Sequence, residues 1–298
     1  MRTIWLASYP KSGNTWMRIL LANLMARGSG GADINRLPGG FADARAPFDR
    51  VTLIDSGLLR FDEIDALRPR VYAALAAGDT DFGEDGVSDE ASPRFVKVHD
   101  AYHLAPGGEP LLAGRRGADG ALVVVRDPRD VAPSLAHHAG LDIDSAIGFM
   151  NDAGGCLCGS PDRGYMQLRQ RLTRWSDHIG SWLGQRDLPV HLLRYEDLQS
   201  TPVATLRAAL DFAGWRVSNA AIERAVALSA FDRIAAHERD KGFREAPHHL
   251  GFFRRGEAGG WRDELTAAQA ARIEQDHGPM MQRLGYRLAD EAQFSEAG

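Results

Sequence analysis

Residues 121 to 125, Ala-Leu-Val-Val-Val, are apolar at every position and offer no polar face to water. Such a strand belongs in the middle of a sheet covered on both sides, and sheets of that kind are built from parallel strands joined by helical crossovers. A second run, residues 3 to 8 (TIWLAS), opens the chain, while Phe95-Val96-Lys97-Val98 and residues 190 to 193 read as two shorter strands. Between the strands, apolar residues recur at helical spacing in segments 15–26, 61–77, 131–138, 166–183, 201–213 and 219–228. In the first of these, Trp16, Ile19, Leu20 and Leu24 or Met25 share one side. This alternation predicts an α/β fold in three layers, a central parallel sheet flanked by helices.

The 298 residues, 44% of them hydrophobic, are enough for one large core, and no low-complexity linker or internal repeat divides them, so residues 1–298 are read as a single domain. A formal net charge of -5 argues against a general nucleic-acid or membrane-surface binder, so any anion site must be local. No stretch approaches the ~18 apolar residues of a membrane span, and the first residues are too short an apolar run for a signal peptide, which makes a cytoplasmic location the default. The two cysteines, Cys156 and Cys158, lie in a glycine-rich stretch and read as ordinary loop thiols. Segments 27–50, 78–93 and 239–260 carry little periodicity, and long irregular segments of this kind are usually functional.

Directly after the first strand comes Ser8-Tyr9-Pro10-Lys11-Ser12-Gly13-Asn14-Thr15-Trp16. In an α/β sheet, ligands bind beyond the carboxyl ends of the strands, where backbone N–H groups and a helix N-terminus converge. A small-residue bend there is an anion cradle, to which Lys11 adds a full charge and Ser12, Thr15 and Asn14 add donors. The alternative is a plain turn with Thr15 as helix cap. The order of residues differs from the nucleotide-triphosphatase loop, in which the lysine follows the second glycine; here Lys11 precedes Gly13.

Three stretches in this order resemble the cytosolic-type sulfotransferases. Residues Tyr9 to Trp16 match the bend Y-P-K-[SA]-G-x-x-W. Arg126-Asp127-Pro128-Arg129-Asp130, with Ser134 beyond it, matches a strand end R-[DN]-P-[RK]-D followed by serine. Arg254-Arg255-Gly256-Glu257-Ala258-Gly259-Gly260-Trp261, preceded by Phe253, matches a late R-[KR]-G-x-x-G-x-W. Between them, Val96-Lys97-Val98-His99 is similar to V-K-T-H, Tyr195-Glu196-Asp197-Leu198 to Y-E-D-L, and Ser229-Ala230-Phe231 to [TS]-S-F with alanine in place of the middle serine.

The resemblance implies a P-loop-like fold and transfer of a sulfuryl group from 3′-phosphoadenosine 5′-phosphosulfate (PAPS), leaving PAP, to a hydroxyl or amine of a small-molecule acceptor. It implies His99 as general base, Lys11 stabilising the leaving PAP, and Lys97 assisting the bridging oxygen. Nucleotide contacts would come from Lys11, Ser12, Gly13, Asn14, Thr15, Trp16, Arg126, Ser134, Tyr195, Ser229, Phe231, Phe253, Arg254, Arg255 and Gly256. Residues 239–260 would close over the nucleotide.

Sulfuryl transfer, like phosphoryl transfer, asks the protein mainly to position the reactants and neutralise charge, and each well-aimed donor supplies ~3 to 4 kcal/mol. The 3′-phosphate requires a second cationic site, for which Arg126, Ser134, Arg254 and Arg255 are candidates. A sulfuryl group carries less charge than a terminal phosphate, so no metal is demanded, and the first polar residue after the central strand is Arg126 rather than a metal-binding aspartate. Asp127 and Asp130 read as local turn and cap residues. His99 has the pKa range of a base at neutral pH, Asp100 is a candidate to orient it or to cap a turn, and His103 is a rival base.

His137-His138 and His248-His249 are adjacent pairs that rarely point at one ion. Leu172 and Trp175, with Trp182, Trp215 and Phe212, read as core. Two other functions fit the same motifs: a nucleotide kinase on a related fold and a non-catalytic PAP-binding module. The acceptor's identity and the oligomeric state stay open, a homodimer being compatible with the sequence.

Overall fold

The computed structural model describes residues 1–26, 30–78, 92–160, 165–246 and 251–289. Six strands are formed: β1 (Thr3–Ser8), β2 (Arg94–Val98), β3 (Gly120–Val125), β4 (Cys156–Leu157), β5 (Gln170–Arg171) and β6 (Val190–Arg194). The helices of the first half are α1 (Asn14–Met25), α2 (Arg45–Thr52), α3 (Phe61–Ala77), α4 (Pro128–Ala139) and α5 (Ile143–Met150). They are followed by α6 (Trp175–Gly184), α7 (Tyr195–Ser200), α8 (Pro202–Ala213), α9 (Asn219–Leu228), α10 (Phe231–Lys241) and α11 (Ala267–Arg283).

β2, β1, β3 and β6 form one parallel sheet in that order. Every residue of β1 and β3 is buried, as the unbroken apolar runs require of strands covered on both faces. Alternate residues point to opposite sides. Trp5, Ala7, Val96, Val98, Val123 and Val125 enter one core with side chains of α3, α4, α6 and α11. Ile4, Leu6, Phe95, Leu122 and Val124 enter the other with α1, α8 and α9. The result is a helix–sheet–helix sandwich in which burying each full Leu or Ile contributes roughly 1.5–3 kcal/mol. Among the described residues no helix is long and apolar enough to cross a membrane.

Because all four strands run the same way, their carboxyl ends share one edge. Ser8, Val98, Val125 and Arg194 end the strands there, and the next residues in sequence are Tyr9, His99, Arg126 and Tyr195. The edge is extended at β2 by a short parallel pairing in which Ala42 N donates to Lys97 O at 3.0 Å and Lys97 N to Gly40 O at 3.2 Å.

The helix expected over 166–183 is not continuous. α6 begins only at Trp175, and Gln170–Arg171 instead pairs antiparallel with Cys156–Leu157. The physical reason is that backbone groups here find distant partners: Leu168 N donates to Asp43 O (2.6 Å), Leu172 N to Gly155 O (2.8 Å), and Arg171 O accepts from Ala101 N (2.7 Å). Thr173, at φ 58°, breaks the chain direction before α6. Leu168, Leu172 and Trp175 are buried nonetheless, as are Trp182 and Trp215, with Phe212 partly so.

Five of the helices are not among those the spacing predicts: α2 lies in the segment expected to be irregular, α5 and α7 fall between predicted elements, α10 overlaps the start of the closing segment, and α11, begun by a Thr266–Gln269 capping box, follows it. Cys156 and Cys158 are not joined in a disulfide. His248 and His249, most of the irregular segment 78–93, and part of 239–260 fall outside the described residues.

Candidate nucleotide and transfer site

The bend after β1 is held in shape from within. Lys11 and Gly13 both take left-handed backbone angles, φ 68° and 104°, and Ser12 N donates back to Tyr9 O at 3.3 Å. A non-glycine residue at positive φ stores strain, of order 1–3 kcal/mol, that the surroundings must hold. Asn14 does this holding: its Nδ2 donates to Leu6 O (2.8 Å) and to Ser8 Oγ (3.1 Å), stitching the bend to β1. The side chain of Asn14 is therefore committed inward, and only its backbone remains for an anion. Gly13 caps α1 without a side-chain hydrogen bond, so the helix's first N–H groups keep their donor capacity. Ser12 Oγ is buried and has no hydrogen-bond partner among the described residues.

Glycine at 13 is also a packing requirement, because a Cβ there would lie 2.6 Å from Cδ2 of Tyr195. Tyr195 thus lies against the bend, with Trp16 edge-on at 5.4 Å between centroids and the Arg126 guanidinium 4.4 Å from its ring centre. Trp16 Nε1 donates to Ser229 O (3.0 Å), and Asn23 of α1 donates to Ser229 Oγ (2.9 Å). The serine hydroxyl is engaged by α1 in this state.

The second and third motifs are clamped together. Asp127 caps α4 by accepting from Arg129 N (2.9 Å) and pairs with the Arg129 guanidinium, which reaches Glu274 as well. Asp130 does more than the local role expected of it: its two oxygens accept from Gly259 N (2.7 Å) and Trp261 N (2.9 Å). Arg129 lies over the Trp261 ring at 4.2 Å. Arg126 Nη2 donates to Glu257 O at 2.7 Å, and Gln199 bonds Gly256 O and Ala258 N. Gly256 (φ 67°) presses on Phe231, whose ring would sit 2.1 Å from a Cβ at that position. Arg254 and Arg255 both turn toward Glu264, and Phe253 packs on Phe243 and Phe252.

Lys11, Ser134, His137, His138, Phe252 and Arg254 line one small cavity, which joins the first motif to the second and third. Lys11 Nζ lies 3.8 Å from the Phe252 ring centre. Burial, then repulsion from Lys97 and Arg126, pulls the Lys11 amine down to about 7. Burial and the same lysines hold His138 at about 4, so this pair of histidines lines the pocket, His137 being hydrogen-bonded to Gly251 O. With buried cations set close together, the electrostatics of this pocket favour an anionic group.

Lys97 and His99 emerge from β2 on one strand face. His99 Nδ1 is 2.7 Å from Ser8 O and 3.3 Å from Ser8 Oγ. The carbonyl can only accept, so Nδ1 carries the hydrogen and Nε2 keeps the lone pair. Burial, then Lys97, lowers the His99 pKa well below the usual histidine value. Asp100, expected to orient His99 or cap a turn, does neither: it faces the other side and pairs with the fully buried Arg68 while accepting from Arg171 N at 2.9 Å. His103 bonds Ala101 O through Nδ1, and its Nε2 has no hydrogen-bond partner among the described residues. Lys97 Nζ pairs with Glu245 at 3.2 Å and lies 4.6 Å from the Phe41 ring centre.

The site residues named from sequence thus divide into the cradle Lys11 to Trp16 with Tyr195, Arg126 and Ser229, the cavity of Lys11, Ser134 and Arg254, and the pair Lys97 and His99. Arg255 points away to Glu264 and Asp263. Ser8, Glu245 and the clamp of Asp130 and Gln199 were missed. Only Asp130 carried a signal, its place in the motif after β3.

A tight bend at the end of the first strand of a parallel sheet, faced by arginines from a second strand end and a late strap, defines an α/β protein of P-loop-like fold with a cationic site at its sheet edge. The chain belongs to the sulfotransferase family: a model of the sulfotransferase domain matches residues 1–285. It is 25% identical over 198 residues to sulfotransferase 2A6 of Rattus norvegicus, covering 64% of this chain and 65% of that relative, a little under two thirds of its length. To cytosolic sulfotransferase 16 of Arabidopsis thaliana it is 23% identical over 283 residues, covering 90% and 72%. In fold it is similar to retinol dehydratase solved with androsterone and inactive cofactor PAP, with TM-score 0.59, 20% identity, and coverage of 97% of this chain and 84% of that one.

Proposed function

We propose that this chain transfers a sulfuryl group from PAPS to a hydroxyl or amine of a small-molecule acceptor. The observation that carries the reading is the shared sheet edge at which Lys11, His99, Arg126 and Tyr195 each follow a strand end. The residues fit a bisphosphorylated nucleotide: an uncapped helix N-terminus, a buried Ser12 hydroxyl without a partner among the described residues, and a lysine whose proton is loosened by burial and then by neighbouring cations. PAPS supplies the transferable sulfuryl group and departs as PAP.

In this reading Lys11, Ser12, Thr15 and the N–H groups of the bend hold the 5′-phosphate and its growing charge. Arg126, Ser134, Arg254 and Arg255 hold the 3′-phosphate, the two late arginines exchanging Glu264 for it. Trp16, Tyr195, Ser229 and Phe231 frame the adenosine, and Phe253 and Gly256 bring the strap's backbone close. His99 Nε2 takes the acceptor proton, and Lys97 places positive charge at the bridging oxygen. The transfer proceeds without a metal, residues 239–260 close over the nucleotide, and the protein acts in the cytoplasm as one domain.

Incubating the protein with labelled PAPS and a panel of phenols, alcohols and amines, with and without EDTA, tests this. Transfer that survives EDTA and is lost in K11A supports it. Transfer from ATP that EDTA abolishes would make the protein a kinase instead.

A further inference from the structure

Glu245 lies in the aperiodic stretch after α10, between Phe243, which is buried, and the strap that carries Arg254. Its Oε1 is 2.6 Å from Arg18 Nη1 and its Oε2 3.2 Å from Lys97 Nζ. Arg18, on α1, is buried, and the Phe41 ring lies against both cations, 4.9 Å from the Arg18 guanidinium and 4.6 Å from Lys97 Nζ. The stretch is fixed in turn: Asn35 bonds Gly242 O at 3.0 Å and Arg244 N at 2.7 Å, and Phe243 packs against Phe252, the ring under which Lys11 sits. One segment therefore touches the phosphate-side lysine through aromatic packing and the acceptor-side lysine through a carboxylate.

We propose that Glu245 is a positioning residue of the transfer reaction: its carboxylate holds the Lys97 ammonium beside His99 and ties it to Arg18, so that seating the closing segment and setting Lys97 are one event. This rests on the sulfuryl-transfer reading above. The alternative, a purely structural ion pair, would stabilise the loop without touching the chemistry.

The electrostatics support the positioning role. Lys97 is faced by Glu245 from the closing segment, Arg18 from α1, Asp43 from the loop beside β2, and His99 from its own strand, with Lys11 and His138 within reach of its charge. Burial pulls the Lys97 proton off, and Glu245 is the foremost group holding it on. The two cations keep Glu245 ionised, down at about 2, against its own burial. Removing the Glu245 charge leaves burial and Arg18 favouring the neutral Lys97 amine, opposed by Asp43, and a neutral amine stabilises no charge on the bridging oxygen.

The test compares E245Q and E245D with the wild type, using PAPS and an acceptor that the wild type turns over. PAP affinity, measured by calorimetry, falls by no more than a few-fold, because the packing of Phe243 on Phe252 and Phe253 and the Asn35 hydrogen bonds still seat the segment. For E245Q, kcat at saturating PAPS falls roughly 10- to 100-fold, as for a misplaced catalytic group. Its alkaline limb moves to lower pH, because Lys97 has lost the charge that raised its pKa. E245D restores part of both, and adding E245Q to K97A costs no more than K97A alone. Wild-type kcat and an unmoved alkaline limb in E245Q overturn the inference, as does a loss confined to PAP affinity or fully additive with K97A. Should E245Q fail to fold, E245D decides, with an unchanged kcat and limb overturning the inference. A wild type that binds PAP and transfers to nothing would sink the activity itself, and this inference with it.

Discussion

Ser8 O and His99 Nδ1 lie 2.7 Å apart, joining the last residue of one strand to the first residue beyond its neighbour. The contact fixes which ring nitrogen holds the proton, and it does so with a backbone atom that no side-chain substitution removes. With the histidine pKa lowered by burial and Lys97, the imidazole is neutral throughout the physiological range. The wild-type kcat/KM for the acceptor, measured at saturating PAPS so that Lys11 is already engaged, should therefore stay level as pH falls through the ordinary histidine range near 6.5 and decline only below it. H99A should lower kcat roughly 10²- to 10⁴-fold while leaving PAP binding intact. H103A should leave the profile in place. A pH–rate profile with an acid limb at or above 6.5, or one abolished by H103A alone, would move the base elsewhere.

Asp100 follows His99 in sequence but serves the opposite face of the sheet. Its carboxylate meets the Arg68 guanidinium from α3, both side chains almost wholly buried. Arg68 Nε also donates to Tyr72 OH at 2.7 Å. Breaking one side of such a pair strands a buried charge, so D100N should cost about 3–5 kcal/mol in denaturant unfolding. The acid limb of kcat/KM should not move. A stable D100N whose pH profile shifts would instead make Asp100 the partner of the base.

The contrast between Asp100 and Lys11 shows what a linear reading reaches. Lys11 sits in a bend whose shape is set by neighbours in sequence, from the strand before it to the helix after it, so spacing alone exposes it. The same holds for Arg126, which ends an all-apolar strand. Arg68 lies thirty-two positions from Asp100, inside a helix, and nothing in either local pattern announces the pair. Segment 166–174 misled for a related reason: Leu168 and Leu172 have helical spacing, yet their N–H groups bond Asp43 and Gly155. Periodicity reports which side chains are buried and is silent on where the backbone finds its partners. Glu245 had no signal, because it lies in an aperiodic segment and the two cations it meets come from other elements.

The Asp130 carboxylate ties the strap to the head of α4 through Gly259 N and Trp261 N. Hydrogen bonds to a charged acceptor are worth about 1.5–3 kcal/mol each, and an alanine there leaves both N–H groups without their partner. D130A should loosen residues 254–261 and weaken PAP binding about tenfold or more, since Arg254 and Arg255 ride on the same strap. Limited proteolysis should show new cleavage in that stretch, and D130N, which keeps one acceptor oxygen, should fall between the two. Equal protection of D130A and wild type would mean that the Arg129–Trp261 contact alone holds the strap.

Lys11 offers a test of the cradle that needs no acceptor. Its amine, near 7 in the free protein through burial and the charges of Lys97 and Arg126, is only partly protonated at pH 7.5. Phosphate oxygens favour the charged form, so the bound-state pKa must be higher than the free one, and binding PAP must draw a proton from solution. Affinity is then greatest below pH 7 and declines as pH rises toward the bound-state pKa, by at most about tenfold per unit for one proton. Calorimetry at pH 7.5 in buffers of different ionisation enthalpy should register net proton uptake, of which K11M removes the lysine's share. If the wild type binds PAP with no uptake and a flat affinity between pH 6.5 and 8.5, Lys11 does not meet the phosphate.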